Sequence, residues 1–188
     1  MMYKIVVIGG SAGSLEAVMK LVADKPDSST ACYVIVVHRK NASDSILTSL
    51  LSSKTSASVK EVEDKDIIAG NYVYIAPPDY HLLLENEQEF ALDRSEKIHY
   101  SRPSIDVTFE SVADVFGSAA IGILLSGANA DGAYGLKRIK DAGGFTIVQD
   151  PASADVPYMP QQALNQHAAD HVMDIAEMVK TLKNLLVK

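Results

Sequence analysis

The chain has 188 residues, a formal net charge of −7 at pH 7 and 47% hydrophobic residues, a composition typical of one soluble globular domain. The acidic balance disfavours a nucleic-acid partner, because binding to phosphates needs an excess of lysine and arginine. Cys32 is the single cysteine, so an intrachain disulfide and a cysteine cage for zinc are excluded.

The N-terminal segment has neither a secretory signal nor a membrane span. The apolar run at residues 5–8 leads directly into glycines and is shorter than a spanning helix or a signal core. We therefore expect a cytoplasmic protein without membrane insertion. No repeat, low-complexity tract or linker divides the sequence, so we expect residues 1–188 to form a single domain.

Strand-like and helix-like segments alternate along the chain. Short runs rich in valine and isoleucine predict buried strands at residues 5–8, 33–37, 73–76, 121–125 and 145–148. Apolar residues at three- and four-residue spacing predict helices at residues 14–22, 45–51, 104–115, 133–142 and 175–186. This alternation predicts an α/β fold, with a doubly wound, mainly parallel β-sheet flanked by helices.

The segment after Pro77-Pro78 departs from the alternation. Residues 81–84 and 90–92 flank an acidic stretch, which predicts an antiparallel hairpin near residues 81–93 and a mixed sheet edge. Residues 61–110 contain 12 acidic and 4 basic side chains, a net charge of −8. A solvated edge that discourages aggregation explains this charge better than a dedicated docking surface.

The turn after the first predicted strand, Gly9-Gly10-Ser11-Ala12-Gly13, fits the pattern G-x-S-x-G. Such a turn exposes a serine above the carboxyl edge of a sheet, beside the N–H groups of a helix N-terminus. A nucleotide-binding module fits less well, because serines occupy the third and sixth positions of the dinucleotide fingerprint and no Gly-Lys-Ser/Thr tripeptide occurs. The turn favours a nucleophile.

A nucleophilic serine needs a base, and the base needs an orienting acid. His38 directly follows the second predicted strand, so it should emerge at the same sheet edge as Ser11. Asp131 lies in a glycine-rich loop between a strand and a helix, where it can orient the histidine, cap the helix that starts at Gly132, or both. The remaining histidines are predicted to be structural or surface residues: His81, His99, His167 and His171.

The chain order Ser11, His38, Asp131 differs from that of the α/β-hydrolases, so the similarity to their nucleophile turn is convergent. The sequence resembles instead the catalytic domain of the CheB-type protein-glutamate methylesterases of chemotaxis. Motifs that run in the family's order carry the resemblance: IVVIGGSAG at residues 5–13, VH at 37–38, YIAPPD at 74–79, RPSIDV at 102–107, LSGANADGA at 125–133 and MPQQA at 159–163.

The resemblance implies a Ser11, His38 and Asp131 triad that hydrolyses glutamyl methyl esters on the cytoplasmic helices of chemoreceptors. Many members also deamidate receptor glutamines. It implies no metal and no organic cofactor. One oxyanion donor is expected from the loop that contains Ala128, with Ala12 as a further backbone candidate and Arg102 as a candidate lining residue of the cleft.

The chain departs from the family pattern at several positions. Ala12 replaces a threonine whose hydroxyl helps to orient the histidine, and Ala128 replaces a methionine at the pocket. After His38, the cations Arg39 and Lys40 either steer an acidic receptor helix or form a solvated loop. The family's N-terminal receiver domain does not precede the motifs, so the sequence is either a fragment of a longer protein or a stand-alone domain under another control, and Met1 favours a natural start.

Two alternatives to an esterase follow from the residues. Because Ala12 and Ala128 depart from the pattern, the chain is also compatible with a catalytically weakened signalling partner that binds a receptor or a histidine kinase without turnover. A nucleotide-binding module is the poorest fit. An intact set of Ser11, His38 and Asp131 favours the esterase.

Overall fold

A computed structural model describes residues 4–39 and 44–187 of the chain. Strands and helices within these ranges alternate as the sequence predicts, except between α2 and α3, where four strands follow one another. In chain order they are β1 (Ile5–Gly10), α1 (Leu15–Ala23), β2 (Cys32–Val37), α2 (Asp44–Ser52), β3 (Ser58–Glu61), β4 (Tyr72–Ile75), β5 (His81–Asn86), β6 (Glu89–Asp93), α3 (Ile105–Phe116), β7 (Ala120–Leu124), α4 (Ala133–Asp141), β8 (Phe145–Gln149), α5 (Tyr158–Asn165), β9 (His171–Met173) and α6 (Ile175–Leu186).

Seven strands form one sheet in the order β3-β4-β2-β1-β7-β8-β9, and each neighbouring pair is parallel. The chain builds outward from β1 to β2 and later crosses to the other side of β1 to form β7. The strand order therefore reverses between β1 and β7. In open α/β sheets a crevice forms at the carboxyl edge beside such a reversal, and ligands bind there.

Both faces of the sheet are covered, which explains the uninterrupted apolar runs of the central strands. All six residues of β1 and all six of β2 are buried. Alternate side chains of β1 enter two different cores. Ile5 and Val7 pack in the core that includes Phe109 of α3, whereas Val6 and Ile8 pack in the core that includes Leu182 of α6. The predicted doubly wound α/β fold is confirmed.

The acidic hairpin is present, but it is not an edge of the main sheet. Strands β5 and β6 pair antiparallel and form a separate two-stranded sheet, so the expected mixed edge is wrong. The hairpin instead packs inward through Phe90, which is fully buried and lies in edge contact with the ring of Tyr74 at a centroid distance of 4.8 Å. Its exposed tip forms ion pairs with Lys4 through Glu87 and with Lys65 through Glu85.

The five predicted helices correspond to α1, α2, α3, α4 and α6, and no end differs by more than one residue. The sequence patterns did not predict β3, whose four residues are exposed or half-buried, nor α5, which contains Pro160. None of the helices in residues 4–39 and 44–187 is long and apolar enough to cross a membrane.

Candidate active site

Three neighbouring strands deliver the three predicted catalytic side chains to one edge of the sheet. Ser11 follows β1, His38 follows β2, and Asp131 lies in the loop between β7 and α4. Strand β1 pairs with both β2 and β7, so the serine follows the strand that lies between the other two. The arrangement lies at the reversal of strand order, where ligands bind in open α/β sheets.

The Ser11 turn is held by backbone bonds on both sides. The Ser11 N–H donates to Ser126 O at 2.9 Å, and Ser11 O accepts from the backbone N–H and the hydroxyl of Ser14 at 3.1 and 2.7 Å. Gly13 adopts φ +77°, and a Cβ there would lie 2.5 Å from the Cβ of Asp155. The turn therefore needs glycine at this position both for its left-handed backbone and for the close approach of Asp155.

Asp131 is fully buried and accepts four hydrogen bonds. One oxygen accepts from the Ser104 hydroxyl at 2.8 Å and from Asp106 N at 2.9 Å. The other accepts from Ile105 N at 2.7 Å and from His38 Nε2 at 2.7 Å. Two of these donors are backbone groups at the N-terminus of α3, which favours a negative charge at this point. Asp131 thus orients His38 and caps a helix, but the helix is α3 and not the one that starts at Gly132.

The hydrogen bonds keep Asp131 ionised in spite of its burial. Burial alone raises its pKa, but the donors from His38, Asp106, Ile105 and Ser104 together lower the pKa below its ordinary value. An ionised carboxylate is an acceptor and not a donor. The hydrogen between Asp131 and His38 is therefore assigned to His38 Nε2.

This assignment leaves Nδ1 as the basic nitrogen of a neutral His38. A hydroxyl already faces it, since Ser101 Oγ lies 3.2 Å from His38 Nδ1. Within the described ranges, Ser11 Oγ forms no hydrogen bond with the imidazole, although both residues line one cavity of about 200 Å³. Catalytic hydrogen bonds commonly tighten when substrate binds, so a loose serine in the free protein is compatible with catalysis.

The cavity beside Ser11 has a largely apolar wall. Leu15 at the start of α1 and Ile46 in α2 contribute to it and are 47% and 65% exposed. A second cavity of about 500 Å³ is also lined by His38 and is cationic, with Arg39, Lys97 and Arg102 against one acidic residue, Asp79.

The predicted lining residue Arg102 is not among the described residues that line the cavity beside Ser11. It lines the cationic cavity, and its Nη1 donates to Arg94 O at 2.9 Å and to Ser95 O at 2.7 Å. These bonds fix the guanidinium against the backbone of the preceding connection.

The candidate oxyanion residues, Ala12 and Ala128, are both exposed. Within residues 4–39 and 44–187, neither of their backbone N–H groups donates a hydrogen bond, whereas the neighbouring Gly127 N–H donates to Val156 O at 3.1 Å. Both N–H groups are therefore available as donors: Ala12 directly follows Ser11, and Ala128 lies in the loop whose Ser126 O accepts from Ser11 N.

Arg39 does not belong to a solvated loop. Its side chain is 7% exposed, forms an ion pair with Glu61, and donates from Nη2 to Ala76 O at 3.1 Å. Lys40 lies outside the described residues. The charge of Arg39 is thus engaged within the protein, beside the cavity that it helps to line.

Asp106 is a second buried carboxylate close to Asp131. Its Oδ1 accepts from Gly132 N at 2.9 Å and from Gly135 N at 2.7 Å, at the N-terminus of α4. Burial raises its pKa to about 6, the charge of Asp131 adds to the rise, and the bonds from Gly135 and Gly132 oppose it. The imidazole of His99 approaches its other oxygen at 3.4 Å.

His99, Asp106 and Asp131 bring one potential metal ligand each within 4.8 Å of one another. However, the Asp131 oxygens accept four hydrogen bonds and Asp106 Oδ1 accepts two backbone bonds. These bonds give both carboxylates a role in joining the two helices without an ion.

His81 is a buried structural histidine, as the sequence predicts. It is fully buried, its Nε2 contacts Glu96 O at 2.9 Å, and its Nδ1 accepts from Ser104 N at 3.1 Å. It thereby supports the serine that donates to Asp131.

Comparison with known proteins gives consistent matches. A family model described as CheB methylesterase matches residues 6–182. A Leptospira interrogans protein named putative protein-glutamate methylesterase/protein-glutamine glutaminase is 39% identical, over 96% of this chain and 93% of its own length. The crystal structure of the Thermotoga maritima CheB methylesterase catalytic domain has a TM-score of 0.92 and 32% identity, and the match covers 98% of this chain and all of that one.

The chain belongs to the CheB methylesterase family. Members of this family are hydrolases, so the expected enzyme class is confirmed. The chain spans about half of some longer relatives, such as the Photorhabdus laumondii protein-glutamate methylesterase/protein-glutamine glutaminase, which is 36% identical over 95% of this chain and 52% of its own length.

Sequence reasoning missed the hydroxyls that surround the CheB-type site. Ser101 contacts the imidazole, and Ser104 supports Asp131. Ser104 carries a local signal, because it stands at the start of a predicted helix. Ser101 carries none, because its contact with His38 spans 63 positions of sequence.

Proposed function

We propose that Ser11, His38 and Asp131 form the catalytic triad of a protein-glutamate methylesterase that acts on the cytoplasmic helices of methyl-accepting chemoreceptors. The observation that carries the proposal is the contact between the buried, ionised Asp131 and His38 Nε2 at 2.7 Å. His38 follows β2 and Asp131 lies in the loop after β7, and these two strands flank the strand that leads to Ser11. Membership of the CheB methylesterase family supports the same reaction. Residues 1–188 would act as one catalytic domain in the cytoplasm.

The first half of the reaction is acylation of the serine. Ser11 Oγ attacks the carbonyl carbon of the glutamyl methyl ester, and its proton passes to Nδ1 of His38. Asp131 stabilises the imidazolium through Nε2 and itself stays ionised. For this transfer the Ser11 hydroxyl has to approach Nδ1 at the face that Ser101 now contacts.

The negative charge that develops on the carbonyl oxygen needs donors that are already in place. The N–H groups of Ala12 and Ala128 are the candidate donors, since Ala12 follows Ser11, Ala128 lies in the loop bonded to Ser11 N through Ser126 O, and neither donates elsewhere within the described residues. Because these donors belong to the backbone, alanine at either position preserves them. The departures from the family pattern at Ala12 and Ala128 are therefore compatible with turnover.

The second half of the reaction releases the products. The tetrahedral intermediate collapses, the C–O bond to the methoxy group breaks, and methanol leaves with the proton from His38 Nδ1. A water molecule then attacks the acyl-serine carbonyl with the same nitrogen as base, which regenerates Ser11 and frees the glutamate carboxyl group. With a receptor glutamine as substrate, the leaving group is ammonia, and the same steps give deamidation.

The experiment incubates the protein with receptor signalling helices that carry either methyl-esterified glutamate or glutamine, and measures methanol, ammonia and binding in parallel. We expect methanol release that is lost in Ser11→Ala and His38→Ala. The matched controls Ser153→Ala and His171→Ala change an exposed serine and an exposed histidine and should retain it. Binding without either product would contradict turnover and favour a signalling partner of a receptor or histidine kinase.

A further inference from the structure

The imidazole of His38 is held at both of its nitrogens. Nε2 contacts Asp131 Oδ2 at 2.7 Å, and Nδ1 contacts Ser101 Oγ at 3.2 Å. A single contact at Nε2 would leave the ring free to pivot about that bond. The second contact, at the opposite side of the ring, restricts this motion and leaves Nδ1 facing the Ser101 hydroxyl.

The Ser101 hydroxyl can serve both protonation states of the ring. When His38 is neutral with its hydrogen on Nε2, Ser101 donates to the Nδ1 lone pair. When Nδ1 holds the proton taken from a nucleophile, Ser101 Oγ accepts it as a hydrogen bond. Its own hydrogen can then point to His99 O, which lies 3.4 Å away.

The backbone fixes the position of Ser101 without help from its hydroxyl. Ser101 N donates to Ile98 O at 2.8 Å, and Ile98 N donates to Ser101 O at 3.2 Å. The two residues between them, His99 and Tyr100, have φ of +48° and +62°, which closes a tight turn. Removal of the hydroxyl should therefore leave the turn in place.

The Ser11 turn does not supply an equivalent hydroxyl in the described part of the chain. Ala12 has none, and the hydroxyl of Ser14 donates to Ser11 O. The hydrogen bond at Nδ1 therefore depends on Ser101 alone among the residues in ranges 4–39 and 44–187.

We infer that Ser101 is a positioning residue for His38, which holds the ring through Nδ1 in the free protein and shares that nitrogen with the Ser11 hydroxyl when the proton is transferred. The inference rests on the proposed function for its catalytic consequence. Ser101 acts through the imidazole and does not itself touch the reacting carbonyl.

The first test needs no substrate. In heteronuclear NMR of the whole protein with isotope-labelled histidine, we expect Ser101→Ala to move the Nδ1 resonance of His38, and Ser101→Thr to restore it, because threonine keeps the hydroxyl. Ser95→Ala is the matched control, since Ser95 lies in the same connection and does not contact His38. An unmoved Nδ1 resonance in folded Ser101→Ala would overturn the inference.

The second test measures acylation of Ser11 with p-nitrophenyl acetate. Loss of one net hydrogen bond predicts a fall in kcat of about fivefold in Ser101→Ala with KM unchanged, and near-normal kcat in Ser101→Thr. A faster Ser101→Ala enzyme would show that Ser101 competes with Ser11 for Nδ1, and acylation found on Ser101 would make it a nucleophile. Either result overturns the inference. Failure of the receptor assay alone would refute the proposed substrate and leave both tests of Ser101 in force.

Discussion

Asp131 caps α3, the helix that contains Asp106, and Asp106 caps α4, the helix that follows Asp131. Asp131 directly precedes α4, yet its carboxylate accepts the N–H groups of Ile105 and Asp106 at the start of α3. Asp106 lies in the first turn of α3, yet its carboxylate accepts the N–H groups of Gly132 and Gly135 at the start of α4. The exchange fixes the two helices to one another and places the acid of the proposed triad.

The two carboxylates predict opposite effects of pH on stability. The folded-state pKa of Asp106 is raised, so its contribution is present at low pH and is lost as pH rises through about 6. The folded-state pKa of Asp131 is lowered, so its contribution to stability is present when the pH lies above the ordinary pKa of an aspartate. That contribution is lost as the pH falls through the folded-state pKa.

For Asp106 the predicted change can be isolated with Asp106→Asn, which keeps an acceptor and cannot ionise. We compare the free energy of unfolding of this variant with that of the natural chain. The difference, variant minus natural chain, should rise by about 2 kcal/mol from pH 4.5 to pH 7.5. Urea titrations at the two pH values measure it. An equal difference at both would contradict the raised pKa of Asp106.

Asp131→Asn should nearly abolish turnover. The amide keeps an acceptor oxygen but loses the charge that stabilises the imidazolium and fixes its tautomer, and in a serine protease this change costs about 10⁴-fold in kcat. Ester hydrolysis measured beside Asp141→Asn, an exposed control on α4, checks the prediction. Activity of Asp131→Asn within tenfold of the control would remove Asp131 from the proposed triad.

Ser104→Ala tests the support of Asp131. Its buried hydroxyl donates to Asp131 at 2.8 Å and accepts from Val107 N at 3.4 Å, so its loss should cost about 1–2 kcal/mol of unfolding free energy. Three donors to Asp131 remain, and we expect kcat to fall by about fivefold and not to vanish. The exposed control Ser53→Ala should change stability by less than about 0.5 kcal/mol.

Gly13→Ala should disturb the nucleophile turn through crowding. Its φ of +77° is matched by φ of +84° at Gly143, but a Cβ at Gly143 would meet its nearest neighbour at 3.5 Å, compared with 2.5 Å at Gly13. Gly143→Ala therefore reports the backbone strain alone, about 1 kcal/mol. We expect Gly13→Ala to lose more stability than Gly143→Ala and also to lose ester hydrolysis. Equal effects in the two variants would contradict the crowding by Asp155.

The main sheet and the placement of Ser11, His38 and Asp131 were predictable because they follow from local patterns. Runs of valine and isoleucine mark strands buried on both faces, and parallel strands bring their carboxyl ends to a common edge. The residues that immediately follow β1 and β2 are therefore placed as soon as the strands are recognised.

What the sequence did not predict depends on packing between distant segments. Asp131 caps α3 because of how α3 packs against α4. No local sequence pattern shows that Asp131 caps α3 and not α4, the helix that follows it. Likewise, the sequence predicts the hairpin but not its partners: Phe90 packs against Tyr74, and β5 and β6 form a separate sheet. The contact of Ser101 with His38 depends on the turn from Ile98 to Ser101.

The most direct test of the account is methanol release from carboxyl-methylated receptor helices by the Ser11→Ala variant, compared with the natural chain at equal concentration and with folding confirmed. We predict that the natural chain releases methanol and that the variant releases none above the uncatalysed rate. Release by Ser11→Ala at the rate of the natural chain would contradict the assignment of Ser11 as the nucleophile.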